Sequence, residues 1–118
     1  MSDSLFFVLS NPVDGAEDAF NKWYDETHVH EVLAVPGIST AQRYMLKPHE
    51  LPANDLADIP PPAHGYLAVY EVAAEPATVM TEFMARLGSG AMTLSPALDL
   101  ATVTMGFWEP RGPRLESP

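Results

Sequence analysis

The stretch WYDETHVHEV, Trp23 to Val32, places two aromatics, two histidines and three carboxylates in ten residues. Three roles suit such a set: a metal site, an acid/base site, or the solvated face of a helix. Wound at about 100° per residue, Phe20, Trp23, Tyr24 and Thr27 share the side that would face a core. His28 sits at the edge of that stripe, and His30 lies on the opposite flank. Lys22, Asp25, Glu26 and Val29 point away. Two histidines two positions apart diverge by about 200° on a helix and cannot share an ion. Asp25 with His28, or Glu26 with His30, has workable spacing. Each pair supplies only two ligands, where a catalytic zinc usually takes about three from the protein. No metal is therefore expected. Two readings stay open for His28. It is an acid/base group tuned near neutrality by an aromatic pocket, or a half-buried imidazole that donates one hydrogen bond to backbone.

These side chains need elements to hold them. Leu5–Asn11, LFFVLSN, is a short apolar run closed by Asn-Pro and reads as a buried strand. Asp14 as N-cap, with Glu17 three residues on, forms a capping-box pattern that starts a helix near Gly15. Val35-Pro36-Gly37 ends that helix. Ile38–Leu46 and Tyr66–Ala73 are strands by their β-branched and aromatic content. A second helix follows, with Pro76 in its first turn, Gly88 at its end, and an apolar face of Val79, Met80, Phe83, Met84 and Leu87. Leu100–Glu109 is the last strand. The order β-α-β-β-α-β predicts an α+β, ferredoxin-like protomer: a four-stranded antiparallel sheet with both helices on one face. Both faces of the strands are apolar, so the open face is expected to pack against a second copy in a homodimer. Residues 1–110 form one domain, and 111–118 read as a mobile tail.

Composition narrows the function classes. Sixteen Asp and Glu against six Lys and Arg give a net charge of −10 in 118 residues. Such a field disfavours nucleic acid and anionic membrane surfaces. The absence of cysteine excludes disulfides and thiolate chemistry. No run approaches the roughly 18 apolar residues of a membrane span. The N-terminus lacks the basic segment of a signal peptide, so a cytoplasmic protein is expected. There is no GxGxxG, phosphate-binding loop or GxSxG, and no cofactor is expected. The six methionines read as core filler.

The segment FNKWYDETHVHEVLAVPGISTAQRY resembles the first helix and second strand of the EthD-like family of the dimeric α/β-barrel superfamily. The matching positions are Phe20, Trp23, Tyr24, His28, Pro36, Gly37, Arg43 and Tyr44, in a closely matching stretch of about a quarter of the chain. The resemblance implies protomers whose sheets pair into a barrel, with a cavity in each. It implies relatives that act on hydrophobic, aromatic or polyketide-like molecules without a cofactor: monooxygenases, cyclases and dehydratases. It marks His28 as the helix histidine that would carry catalysis. A non-catalytic carrier of the same shape is the alternative.

The remaining polar candidates lie on strands. Arg43 and Tyr44 are adjacent and must face opposite sides of the sheet, so one of them should reach the cavity. Glu71 faces either the helices or the cavity, and a buried carboxylate would find its partner in Arg43. With Trp23 and Tyr24, these residues make the expected pocket. Asn11 is a strand end or a turn residue. The proline-rich segment from Lys47 to His64, carrying His49 and His64, is expected to cover the cavity mouth or to clasp the dimer partner.

Overall fold

A computed structural model describes residues 4–47 and 59–118. The chain starts with the strand β1 (Leu5–Ser10) and continues into a long helical segment. That segment is α1 (Glu17–Trp23), a π-helical stretch (Tyr24–His28) and α2 (Val29–Leu33) in succession. Strands β2 (Ile38–Met45) and β3 (Tyr66–Val72), helix α3 (Pro76–Ser89) and strand β4 (Thr104–Trp108) follow. The sheet has the order β2-β3-β1-β4 and every pairing is antiparallel. This is the ferredoxin-like α+β protomer expected from the element order.

Alternation along the strands sorts the side chains. Phe6, Val8 and Ser10 of β1 share the helix side with their neighbours Tyr70, Ala68 and Tyr66 of β3. Phe6 anchors the core, stacked on Phe107 at 4.7 Å and edge-on to Phe83 at 5.8 Å. Phe7, Leu9, Leu67 and Val69 point to the other side of the sheet, half-buried by one another.

The helical segment departs from expectation at both its start and its middle. Asp14 caps nothing. The N-cap position falls on Ala16, and no side chain bonds to it. Gly15 at φ 80° and the bond from Ala16 N to Val13 O at 2.9 Å form a turn first, which moves the helix start past Asp14. Glu17 and Asp18 then favour the positive end of the helix dipole. At Gly37, φ is 97°, and its carbonyl accepts from Ala73 N at 2.7 Å, tying the end of the segment to β3.

Helix α3 runs through Gly88 and stops at Gly90, whose φ of 84° closes it. Val79 and Phe83 are buried, but Met84 is 54% exposed and leaves the expected apolar face. Strand β4 begins four residues later than expected. Asp99 accepts from Ala101 N and from Thr102 Oγ1, both at 3.1 Å, and this side-chain turn holds Leu100–Val103 out of the sheet.

The crossover from α3 to β4 packs back over the helix side. Asp99 N donates to Asn11 O at 3.0 Å, Val13 N donates to Ala97 O at 2.7 Å, and Leu98 bridges Pro12. The lid or clasp expected of Lys47–His64 falls largely on residues 48–58, outside the described residues, and His49 with it. Residues 109–118 are exposed and carry no helix or strand.

Candidate functional site

A single change in helix geometry builds the site. In an α-helix, residues five apart point about 140° away from each other. The wider π turn brings such residues together. Here it stacks His28 on Trp23, with ring centroids 4.5 Å apart and planes 19° apart. Tyr24 meets the same imidazole edge-on at 5.0 Å. His28 therefore turns fully inward, 5% exposed, while Thr27, expected in the core, is exposed.

His28 lines an apolar cavity between the helices and the sheet. Val8, Ser10 and Tyr70 form its floor, Tyr24 and Val32 its helical wall, and Phe83 and Leu87 of α3 face them. Leu94, Leu98, Leu100, Val103 and Met105 close it from the crossover and β4. Of these, Leu94, Leu100 and Met105 are well exposed and mark the way in.

Three buried polar atoms in this wall lack a hydrogen-bond partner in good geometry: Nδ1 of His28 and the hydroxyls of Tyr24 and Tyr70. A buried polar atom without a partner costs about 1–3 kcal/mol, so three around one cavity call for an explanation. The two phenols lie close enough for each to shift the other's ionisation, the Tyr70 hydroxyl acting as donor toward Tyr24. Burial raises the pKa of each, so both stay protonated at neutral pH. Burial, and then the Arg43 guanidinium, hold the His28 pKa down to about 4, so the imidazole is neutral. Glu31, one turn on, brings Oε1 to 3.5 Å from His28 Nδ1, and that oxygen is also buried and unpartnered.

Arg43 does face the helices, but it stands behind the cavity wall. Its guanidinium lies over the Tyr24 ring at 4.3 Å and near those of Tyr66 and Phe20 at 5.4 and 5.6 Å. It donates to Asp25 Oδ1 at 2.6 Å and to Asn21 Oδ1 at 3.0 Å. Asn21 in turn donates to the Tyr66 hydroxyl at 3.0 Å, and that hydroxyl donates to Glu17. The expected Arg43–Glu71 pair does not form, because the two residues lie on opposite faces of the sheet. Glu71 accepts instead from Thr40 Oγ1 at 2.6 Å. Tyr44 shares the outer face and is 53% exposed. Neither Glu71 nor Tyr44 reaches the cavity.

Of the expected pocket residues, then, Tyr24 and His28 line the cavity, Trp23 backs His28, and Arg43 backs Tyr24. Tyr70 and Glu31 were not singled out from sequence. Tyr70 was legible as the inward neighbour of Ala68 on β3. Glu31 stands three residues from His28, a spacing that marks helix neighbours. Asn11 proves to be a junction: it donates to Ala63 O at 3.2 Å and Thr102 Oγ1 at 3.3 Å, and accepts from Gly65 N at 2.8 Å. His64 bonds Thr102 O at 2.7 Å, away from the cavity. Among the described residues no group of three or more His, Asp and Glu side chains gathers as a metal site would require, and no helix is long and apolar enough to cross a membrane.

No family model and no curated protein matches the sequence. Solved structures share the fold. An ethyl tert-butyl ether degradation (EthD) family protein from Bacillus halodurans is 16% identical with a TM-score of 0.57, over 93% of this chain and 99% of that one. SnoaB from Streptomyces nogalater, a cofactor-independent oxygenase, is 18% identical with a TM-score of 0.58, over 98% and 100%. ActVA-Orf6 from Streptomyces coelicolor, a monooxygenase in complex with nanaomycin D, is 19% identical with a TM-score of 0.55, over 98% and 94%. At these identities the likeness is one of fold.

Proposed function

We propose that the cavity is the active site of a cofactor-independent enzyme acting on hydrophobic, aromatic or polyketide-like small molecules, with His28 moving the proton. One observation carries this reading: a neutral, buried imidazole and two buried phenols share the wall of one apolar cavity. A carrier needs only apolar walls; acid/base groups gathered in a cavity wall suit proton transfer. With its proton on Nδ1, facing Glu31, the ring leaves Nε2 free to accept one from a bound substrate. The Tyr24 and Tyr70 hydroxyls are then available to donate to the oxygen that gains charge. Catalysis would rest on positioning and proton transfer. SnoaB and ActVA-Orf6 support the reading as enzymes on the same fold.

The test is a panel of phenols, hydroxyquinones and polycyclic ketones, with product formation and dioxygen uptake followed for the wild-type protein and His28→Ala. Turnover by the wild type and its loss by at least about tenfold in a folded His28→Ala protein are expected. Full activity in the variant would remove His28 from the chemistry. Tight binding without turnover across the panel would favour the carrier.

The same reading includes a cytoplasmic homodimer. Phe7, Leu9, Leu67 and Val69 make an apolar outer face, extended by Trp108 at 60% and Tyr44 at 53% exposure. A second copy packed sheet to sheet would cover it. Light scattering should give a dimer for the wild type and a monomer for Val69→Lys, and a monomeric wild type would refute it.

A further inference from the structure

We infer that the outer sheet face and residues 109–118 form one self-complementary docking surface for a second copy of this chain. The two-fold axis runs along the strands, Trp108 seats against the partner's Thr40 and Glu71, and residues 109–118 wrap the partner's β2 edge as an arm. This rests on the homodimer proposed above and adds its orientation and its arms.

Strand pairing arranges the outer face in rows. Trp108, Leu5, Glu71 and Thr40 form one row across the sheet. Gly106, Phe7, Val69 and Gln42 form the next, and Thr104, Leu9, Leu67 and Tyr44 the third. A symmetric interface makes every contact twice, i on j and j on i. With the strand order β2-β3-β1-β4, an axis along the strands sets β4 of one copy over β2 of the other, and β1 over β3. Large side chains then meet smaller ones at the rims: Trp108 on Thr40, Gln42 on Gly106, Tyr44 on Thr104. Phe7 on Val69 and Leu9 on Leu67 make an apolar centre. An axis across the strands fits worse. It stacks Phe7 on Phe7, leaves Gly106 against Gly106, and sets Glu71 on Leu67 with no donor above it.

Hydrogen bonding favours the same axis. Glu71 accepts from Thr40 Oγ1 at 2.6 Å at one end of the first row. Trp108 is 60% exposed at the other end, and its indole N–H bonds to none of the described residues. The axis along the strands brings that donor over the partner's Glu71, and a carboxylate taken out of water needs such a donor.

The arm leaves the sheet directly after Trp108. All ten of its residues are exposed, and none bonds to the rest of the described chain. Pro110, Pro113 and Pro118 favour an extended run of about 3.1 Å per residue. Facing sheets lie about 10 Å apart, so Arg111, three residues past Trp108, reaches the level of the partner's β2. Arg114 reaches the helix layer beyond it. At about three residues per turn, the two arginines share one side of the arm. They are two of the chain's six Lys and Arg. The helical segment beside β2, tied to it by Arg43 and Asp25, exposes Asp18, Asp25 and Glu26 against one cation, Lys22. The arm thus carries positive charge onto an acidic flank.

The chain has no cysteine, so paired cysteines report the axis. A bismaleimide spanning about 10 Å, the gap between facing sheets, should join chains carrying Trp108→Cys with Thr40→Cys into a covalent dimer on a denaturing gel. Chains carrying Trp108→Cys with Thr104→Cys, and each single variant, should not be joined. Joining as readily through the second pair, or through neither pair, would overturn the axis and leave the homodimer standing. Arg111→Glu with Arg114→Glu should raise the dimer dissociation constant about tenfold at low salt in sedimentation, as exposed ion pairs turned repulsive do. Adding Asp18→Lys with Glu26→Lys should restore it. An unchanged constant in the first variant, or no recovery in the second, would overturn the arm. A monomeric wild type would take the homodimer and this inference down together.

Discussion

Mild acid should weaken this fold through His28 before most carboxylates are protonated. In the folded protein the His28 pKa is lowered from 6.5 to about 4, by burial first and by Arg43 second. The unfolded chain therefore binds more protons than the native state between those two values, and stability falls as pH falls. It is fully present above pH 6.5 and its loss is complete below pH 4. The whole change is on the order of 3 kcal/mol, and about 2 kcal/mol of it should be gone between pH 7 and pH 5. Against a typical total of about 5–15 kcal/mol, that is a measurable share. The groups against the imidazole are Glu31 from α2 and Trp23 and Tyr24 from the same helical segment; Tyr70 from β3 shares its cavity wall, and Arg43 from β2 acts on it by charge from behind Tyr24. Urea unfolding followed by tryptophan fluorescence, at one fixed protein concentration, gives the stability at each pH. His28→Phe keeps a flat ring against Trp23 and removes the titrating group. It should lose markedly less stability than the wild type from pH 7 to pH 5. Equal losses in the two proteins, or a His28 NMR titration centred near pH 6.5, would refute the assignment.

Two further outcomes follow from the geometry. Gly37→Ala should destabilise by about 2 kcal/mol or more by calorimetry, because φ is 97° and the added Cβ would lie 2.7 Å from Ala74 Cβ and 3.0 Å from Val79 Cγ2. Unchanged stability would mean that the backbone shifts without cost there. Asn11→Ala should cost about 1–3 kcal/mol and speed hydrogen exchange at Gly65, since it removes the side-chain bonds joining β1 to Ala63, Gly65 and Thr102; protection at Gly65 equal to wild type would contradict the junction.

The element order and the β-α-β-β-α-β topology were legible in the sequence, because they depend on local runs and breaks. LFFVLSN, Val35-Pro36-Gly37 and Pro76 each set a boundary through backbone and side-chain preferences that act within a few residues. The closeness of His28 to Trp23 and Tyr24 was also visible, through residue type and spacing. The orientation of His28 was not. A uniform helix puts Thr27 inside and His28 at the edge, and only the π turn from Tyr24 to His28 reverses them. No local preference signals that turn, and the contacts around it are ring against ring and guanidinium against ring, the last of them reaching across from β2. The partner of Arg43 was likewise undecidable from alternation alone. Pairing with Glu71 required one face of the sheet. The register shift near Ser39 and Thr40, with Asp25 brought over from the helix, decided for the other. Sequence determined which groups were available for chemistry. The packing of helix on sheet decided which of them meet, because it sets distances between side chains that are far apart along the chain.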